Sequence, residues 1–190
     1  TVVTQMYQEA GVKIPTKIAG LLCSAIISDT LLFRSPTCTA VDEKIAENLA
    51  KIAGINLEEM AKAMFNAGSS MKGKSAEEIC FQDFKQFTVN NTVFGVGQIN
   101  SMSKDELAEI KEILEPHLEE VKEKNQLNMV YFMLTDILGE STELLCCGNH
   151  AKEYIISAFD LREDSDKIML EGVVSRKKQL IPTLVAALQH

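Results

Sequence analysis

The chain is short of cations for its size. Lys and Arg number 19 against 27 Asp and Glu, so the formal net charge of the 190 residues is −8. A field of that sign repels polyanions and gives no support to nucleic-acid binding, so any anion site must be local. Histidine is scarcer still: His117, His150 and His190 are the three in the chain, and none has a partner at metal-ligand spacing. The five cysteines, Cys23, Cys38, Cys80, Cys146 and Cys147, are odd in number and lack CxxC spacing. That pattern argues against a disulfide framework and against a zinc site. No apolar run approaches the roughly 18 to 20 residues needed to cross a bilayer, and no signal-like segment opens the sequence. Together these absences predict a cytoplasmic protein with neither a nucleic acid nor a membrane as partner.

What is present is apolar side chain, 46% of the total, enough for one good core or for a small domain plus part of another. TVVTQMYQEAG reads as the middle of an amphipathic helix stopped at Gly11, which points to a piece of a longer protein cut just before it. The run after Pro15 suits a buried helix to about Ile27, interrupted by Ser28, Asp29 and Thr30. Thr39 is placed to cap a helix from about Val41 to Ala53, ended by Gly54, and Asn56 to cap another. Residues 67–74 are small and polar without apolar periodicity, and a hinge between two domains is expected there.

Beyond that hinge, Ser75 with Glu78 and Ser103 with Glu106 form Ser-x-x-Glu capping boxes, the second opening a helix expected to run to about Lys124. Asn90-Asn91 between β-branched runs predicts a hairpin. MVYFMLTDIL, ELLCCGN and IMLEGVV read as strands, with helices over 150–159 and after Gln179. The expected class is α/β: a mixed sheet flanked by helices, preceded by a mainly helical segment.

Four places could carry chemistry. Asp29, among LLCSAII and LLF, is a carboxylate in apolar company, either a helix-capping group or one ligand of a hard divalent ion. Cys146 and Cys147 point to opposite faces of their strand and serve packing rather than reactivity. The acidic run LREDSDK reads as a solvated turn. Arg176-Lys177-Lys178 of SRKKQ falls between a strand and a helix, where a guanidinium fork, a Lys point charge and backbone N–H groups can share one phosphate. A plain surface charge run is the alternative.

IAGLLCSAIISDTLLFRSPTCT, FGVGQIN and GVVSRKKQLIP together resemble, in order and over essentially the whole chain, the family II manganese-dependent inorganic pyrophosphatases of the DHH phosphoesterase superfamily. The resemblance implies that residues 1–66 are the end of a DHH domain and 75–190 a DHH-associated, substrate-binding C-terminal domain. It implies that Asp29 is a metal ligand and that Lys85 (in QDFKQF), Arg176 and Lys177 bind substrate phosphate. The implied activity is hydrolysis of pyrophosphate to two phosphates in a homodimer, with Mn2+, or Co2+ or Mg2+, as cofactor. The DHH motif and most of the family's metal ligands are absent from these residues, so the chain is expected to hold substrate without holding the metals or catalysing alone. A polyphosphate-cleaving relative and a non-catalytic phosphate-binding module are the other readings.

Overall fold

Every residue of MVYFMLTD is buried, so this strand must lie in the middle of a sheet covered on both faces. The computed structural model, which describes residues 1–69, 73–162 and 167–189, places it there. The chain divides into two compact units, Thr1–Gly68 and Ser69–His190.

The second unit is built on a five-stranded sheet in the order β1 (Phe84–Val89), β2 (Thr92–Ser101), β3 (Met129–Asp136), β4 (Ser141–Gly148), β5 (Ile168–Glu171). Sequence neighbours pair throughout. All contacts are antiparallel except β2 with β3, which run parallel. The parallel pair needs a crossover, supplied by α6 (Lys104–Leu114) and α7 (Leu118–Lys124). The expected single helix from Ser103 to about Lys124 is therefore corrected to two, separated by a 3₁₀ turn at Glu115–His117. Pro116 is the cause, since it has no N–H for the helical ladder and its ring crowds the preceding turn.

Two cores flank the sheet. Phe94, Val96, Tyr131, Met133 and Leu144 pack with Ile155 of α8 (Ala151–Ala158) and Leu184 of α9 (Ile181–Leu188). Val130, Phe132, Leu134 and Leu145 pack with Ile110 and Leu114 of α6 and with Ile79 of α5 (Ala76–Cys80). Cys146 joins the first core and Cys147 the second, as alternation requires. Glycine makes room for the rings: a Cβ at Gly95 would come within 2.1 Å of Phe84, and one at Gly97 within 2.4 Å of Phe132.

The first unit is helical: α1 (Val2–Glu9), α2 (Thr16–Thr30), α3 (Ala40–Ala53) and α4 (Leu57–Ser69). Ala19, Cys23, Ile27, Ala46, Leu49 and Ala61 are among its most buried side chains. Small residues let α2 and α3 approach closely, and the Cys23 thiol donates to the carbonyl of Ala46. Thr39 and Asp42 form a reciprocal capping box on α3, and Asn56 Oδ1 accepts from Glu59 N–H at the start of α4. Helix α2 runs three residues beyond the expected stop at Ile27, which carries Asp29 into its last turn. Helix α4 runs to Ser69, so the first residues of the expected 67–74 hinge are helical, while 70–72 lie outside the described residues. The same holds for residues 163–166 of LREDSDK and for His190.

Candidate functional site

The segment Gly172–Leu180 is folded back on itself by its own polar side chains. Strand β5 ends at Glu171, earlier than IMLEGVV predicts, because Gly172 turns the chain at φ +72° and donates to Glu140 O. Val173 and Val174 then enter the core, and every exposed backbone group they would strand is met. Thr142 donates to Val173 O and Gln98 to Val174 O. Gln179 Oε1 accepts from both Val174 N–H and Ser175 N–H, while its Nε2 donates to Gly172 O at 2.6 Å.

Ser175 accepts from Lys178 N–H and opens a turn of π-helix, Arg176–Leu180, in which Leu180 N–H reaches Ser175 O five residues back. Such turns are uncommon and concentrate at functional sites. This one puts neighbouring cations in different environments. Arg176 is only 7% exposed, whereas Lys177 and Lys178 are on the surface.

Arg176 crosses to the hairpin at the sheet's edge. Its Nη1 donates to Asp83 O at 2.8 Å and to Val96 O at 3.0 Å, and its Nη2 donates to Asp83 Oδ1 at 2.7 Å. Three of the five guanidinium N–H groups are thus spent on protein acceptors. Nε–H and the second Nη2–H, which lie side by side on one edge of the plane, have no partner among the described residues. Lys85 sits on β1 two residues beyond Asp83 and pairs in register with Val96 of β2. The structure therefore brings the Arg176 guanidinium to the edge that carries Lys85, with Lys85 and Lys177 exposed and without an acceptor among the described residues.

Asp29 belongs to the other unit. It is exposed in the last turn of α2, at the negative end of the helix dipole, and no cation shares the turn. The next three residues, Leu31, Leu32 and Phe33, all have left-handed backbones, at φ of 49°, 51° and 71°. Non-glycine residues cost on the order of 1 kcal/mol each in that region. Hydroxyl groups hold the turn: Thr30 Oγ1 donates to Ile26 O and accepts from Phe33 N–H, Thr37 Oγ1 donates to Asp29 O, and the Ser35 hydroxyl pairs with that of Thr37. No group of three His, Cys, Asp or Glu side chains able to hold a metal occurs among the described residues.

The remaining candidates are structural. Burial pushes the thiols of Cys80, Cys146 and Cys147 up to about 12, which keeps them protonated and unreactive at neutral pH. His117 pairs with Glu120 and His150 with Glu153, each within its own helical turn. A cleft of about 470 Å³ between α6 and strands β4–β5 is lined by charges that answer one another. There Lys111 meets Glu143 at 2.7 Å, which raises the lysine's pKa, and Lys104 meets Asp136 at 3.5 Å. None of Lys85, Arg176 and Lys177 lines that cleft. Gln98, Gln179 and Asp83, which shape and anchor the SRKKQ segment, are the residues that sequence reasoning missed. Gln98 and Asp83 have partners 76 and 93 residues away, and Gln179 folds back on a turn that no local pattern marks; only the position of Asp83 beside Lys85 gave a signal.

Comparisons with known proteins agree on one family. The model of the DHHA2 domain family matches residues 62–187. A cobalt-dependent inorganic pyrophosphatase of Clostridium perfringens is 44% identical over 97% of this chain and 33% of its own length. The manganese-dependent inorganic pyrophosphatase of Bacillus subtilis is 38% identical over 99% of this chain and 60% of its own. A crystal structure from Methanococcus jannaschii, described as a family II inorganic pyrophosphatase, superimposes with a TM-score of 0.79 at 40% identity, over 94% of this chain and 58% of that one. The chain thus spans about 60% of the length of the latter two relatives and a third of the first.

Proposed function

The chain belongs to the DHHA2 domain family, and from that premise we propose that it supplies the substrate-holding part of a metal-dependent inorganic pyrophosphatase. The observation that carries the proposal is the edge of β1. There the Arg176 guanidinium meets Val96, the register partner of Lys85, and Lys177 follows Arg176 in the chain, on a protein whose net charge is −8. A pyrophosphate is a compact polyanion, and two exposed Lys point charges beside a guanidinium fork match it in charge and geometry. These cations bind and orient the substrate and neutralise charge that grows on the leaving phosphate.

Relatives are named for dependence on manganese or cobalt. In this reading Asp29 is one ligand of such an ion, and the negative end of α2 favours a cation beside it. The side chains described here do not by themselves fit such an ion, because a hard divalent metal needs several oxygen or imidazole ligands and Asp29 is one. The chain on its own is therefore expected to bind pyrophosphate without turning it over. We place substrate binding in residues 75–190, the metal ligand in residues 1–66 and a hinge at 67–74.

Calorimetric titration of the chain with pyrophosphate tests the central claim. Lys85→Ala and Lys177→Ala, both on the surface, are each expected to weaken binding roughly tenfold while leaving the thermal midpoint in place. Affinities equal to that of the unsubstituted chain would remove the cation cluster from the site. Phosphate release on adding Mn2+ or Co2+ to the chain alone would overturn the expectation that it does not catalyse.

A further inference from the structure

We infer that Asp83 is a positioning residue, which clamps one edge of the Arg176 guanidinium so that the opposite edge stands ready for two oxygens of one phosphate. The inference rests on the reading of Arg176 as a phosphate ligand and adds a residue to it. A guanidinium offers five N–H groups on three nitrogens, and they form two forks. The Nη1–Nη2 fork is occupied by one residue, Asp83, through its backbone carbonyl at 2.8 Å and its carboxylate at 2.7 Å. The outward hydrogen of Nη1 is taken by Val96 O at 3.0 Å. What remains is the Nε–Nη2 fork, two parallel donors at the spacing that carboxylates and phosphates accept bidentately.

The three acceptors come from the 3₁₀ turn before β1 and from β2, so rotation or outward swing of the guanidinium would break at least one of these bonds. An arginine side chain that keeps its rotamers loses them on binding. Here that ordering has already happened. The clamp is also asymmetric in exposure: the Arg176 side chain is 8% exposed and that of Asp83 is 51%. The carboxylate therefore lies at the mouth and the guanidinium behind it, so an Asp83 substitution alters the fork's aim without opening the core. Asp83 is distinct from Lys85 in function, since one directs a ligand and the other is a ligand.

The test uses the whole chain, inorganic pyrophosphate as probe, and three variants. Asp83→Ala is expected to weaken pyrophosphate binding roughly tenfold. Asp83→Asn, which keeps an Oδ1 acceptor for Nη2, is expected to recover most of that loss. The Nε–H resonance of Arg176 supplies a readout that mere stability would not move. In the unsubstituted chain it should be sharp and shift on adding pyrophosphate, in Asp83→Ala it should broaden or exchange away with the rest of the spectrum intact, and Arg176→Lys identifies it by its loss. Failure of the unsubstituted chain to bind pyrophosphate would overturn the reading of the site and this inference with it. Binding by the unsubstituted chain that Asp83→Ala leaves unchanged or strengthens would overturn the role of Asp83 alone.

Discussion

Arg176 and Lys177 are adjacent in sequence and opposite in environment, and the π turn that separates them could not be read from SRKKQ. What the sequence does show is chemical type: three cations beside two apolar runs. Which of them faces the core depends on a Gln179 side chain that folds back onto Val174, Ser175 and Gly172, and on Gln98, 76 residues before its partner Val174. Short-range capping was more legible. Thr39 and Ser75 cap their helices as local sequence predicts, because a cap needs only groups three residues apart. At α3 the cap makes a pH-dependent prediction. The hydroxyl of Thr1, then the hydroxyl and N–H of Thr39, hold the Asp42 carboxyl below its ordinary value of 3.8. A folded value below the unfolded one stabilises the fold above pH 3.8, and the contribution fades as pH falls through the depressed value. Asp42→Ala should thus cost about 0.5 to 1 kcal/mol at neutral pH in thermal unfolding, with a narrower gap near pH 2. A gap independent of pH would mean the ionised carboxylate is not what acts.

Among the elements, the sheet was the most legible and the long crossover the least. Alternation and continuous apolar runs mark β1 to β4, and Asn90-Asn91 marks the hairpin, with Asn90 at φ 53°. The helical period, by contrast, runs through Pro116 without a visible fault, since Ile110, Leu114, Leu118 and Val121 all face the same core. Periodicity reports which face is buried, and it stays silent on whether the ladder between is continuous. The same blindness hid the left-handed turn after Asp29, because Leu31 and Leu32 are buried as an extended or helical reading would also have them. FGVGQIN is a case where composition has a steric cause. A methyl at Gly97 would meet the Phe132 ring at 2.4 Å, in the centre of the sheet. Gly97→Ala is expected to destabilise the chain by about 1 to 3 kcal/mol in urea unfolding, and adding Phe132→Leu to recover part of that. An unaltered midpoint for Gly97→Ala would show that the ring moves aside freely.

At the scale of the whole molecule, the two units differ in how completely they bury apolar surface. The second closes a core on each face of its sheet. Among the described residues, 11 large hydrophobic side chains remain exposed, and seven of them belong to the first unit: Val2, Val3, Met6 and Val12 on or just after α1, then Leu21, Val41 and Ile52. Residues 69–190 expressed alone should therefore unfold in one cooperative transition and bind pyrophosphate as the 190-residue chain does, since Lys85, Arg176 and Lys177 all lie within them. A broad, non-cooperative melt of that piece would refute its independence. The Arg176 contact to Asp83 has one more consequence, for it joins residues 93 apart in sequence. With that guanidinium holding phosphate as proposed, loss of either segment would release the ligand, so pyrophosphate binding and folding of that unit would be thermodynamically linked. Every tenfold excess of pyrophosphate over its dissociation constant adds about 1.4 kcal/mol to the unit's stability. The expected rise in melting temperature on adding pyrophosphate would then measure occupancy of the proposed site.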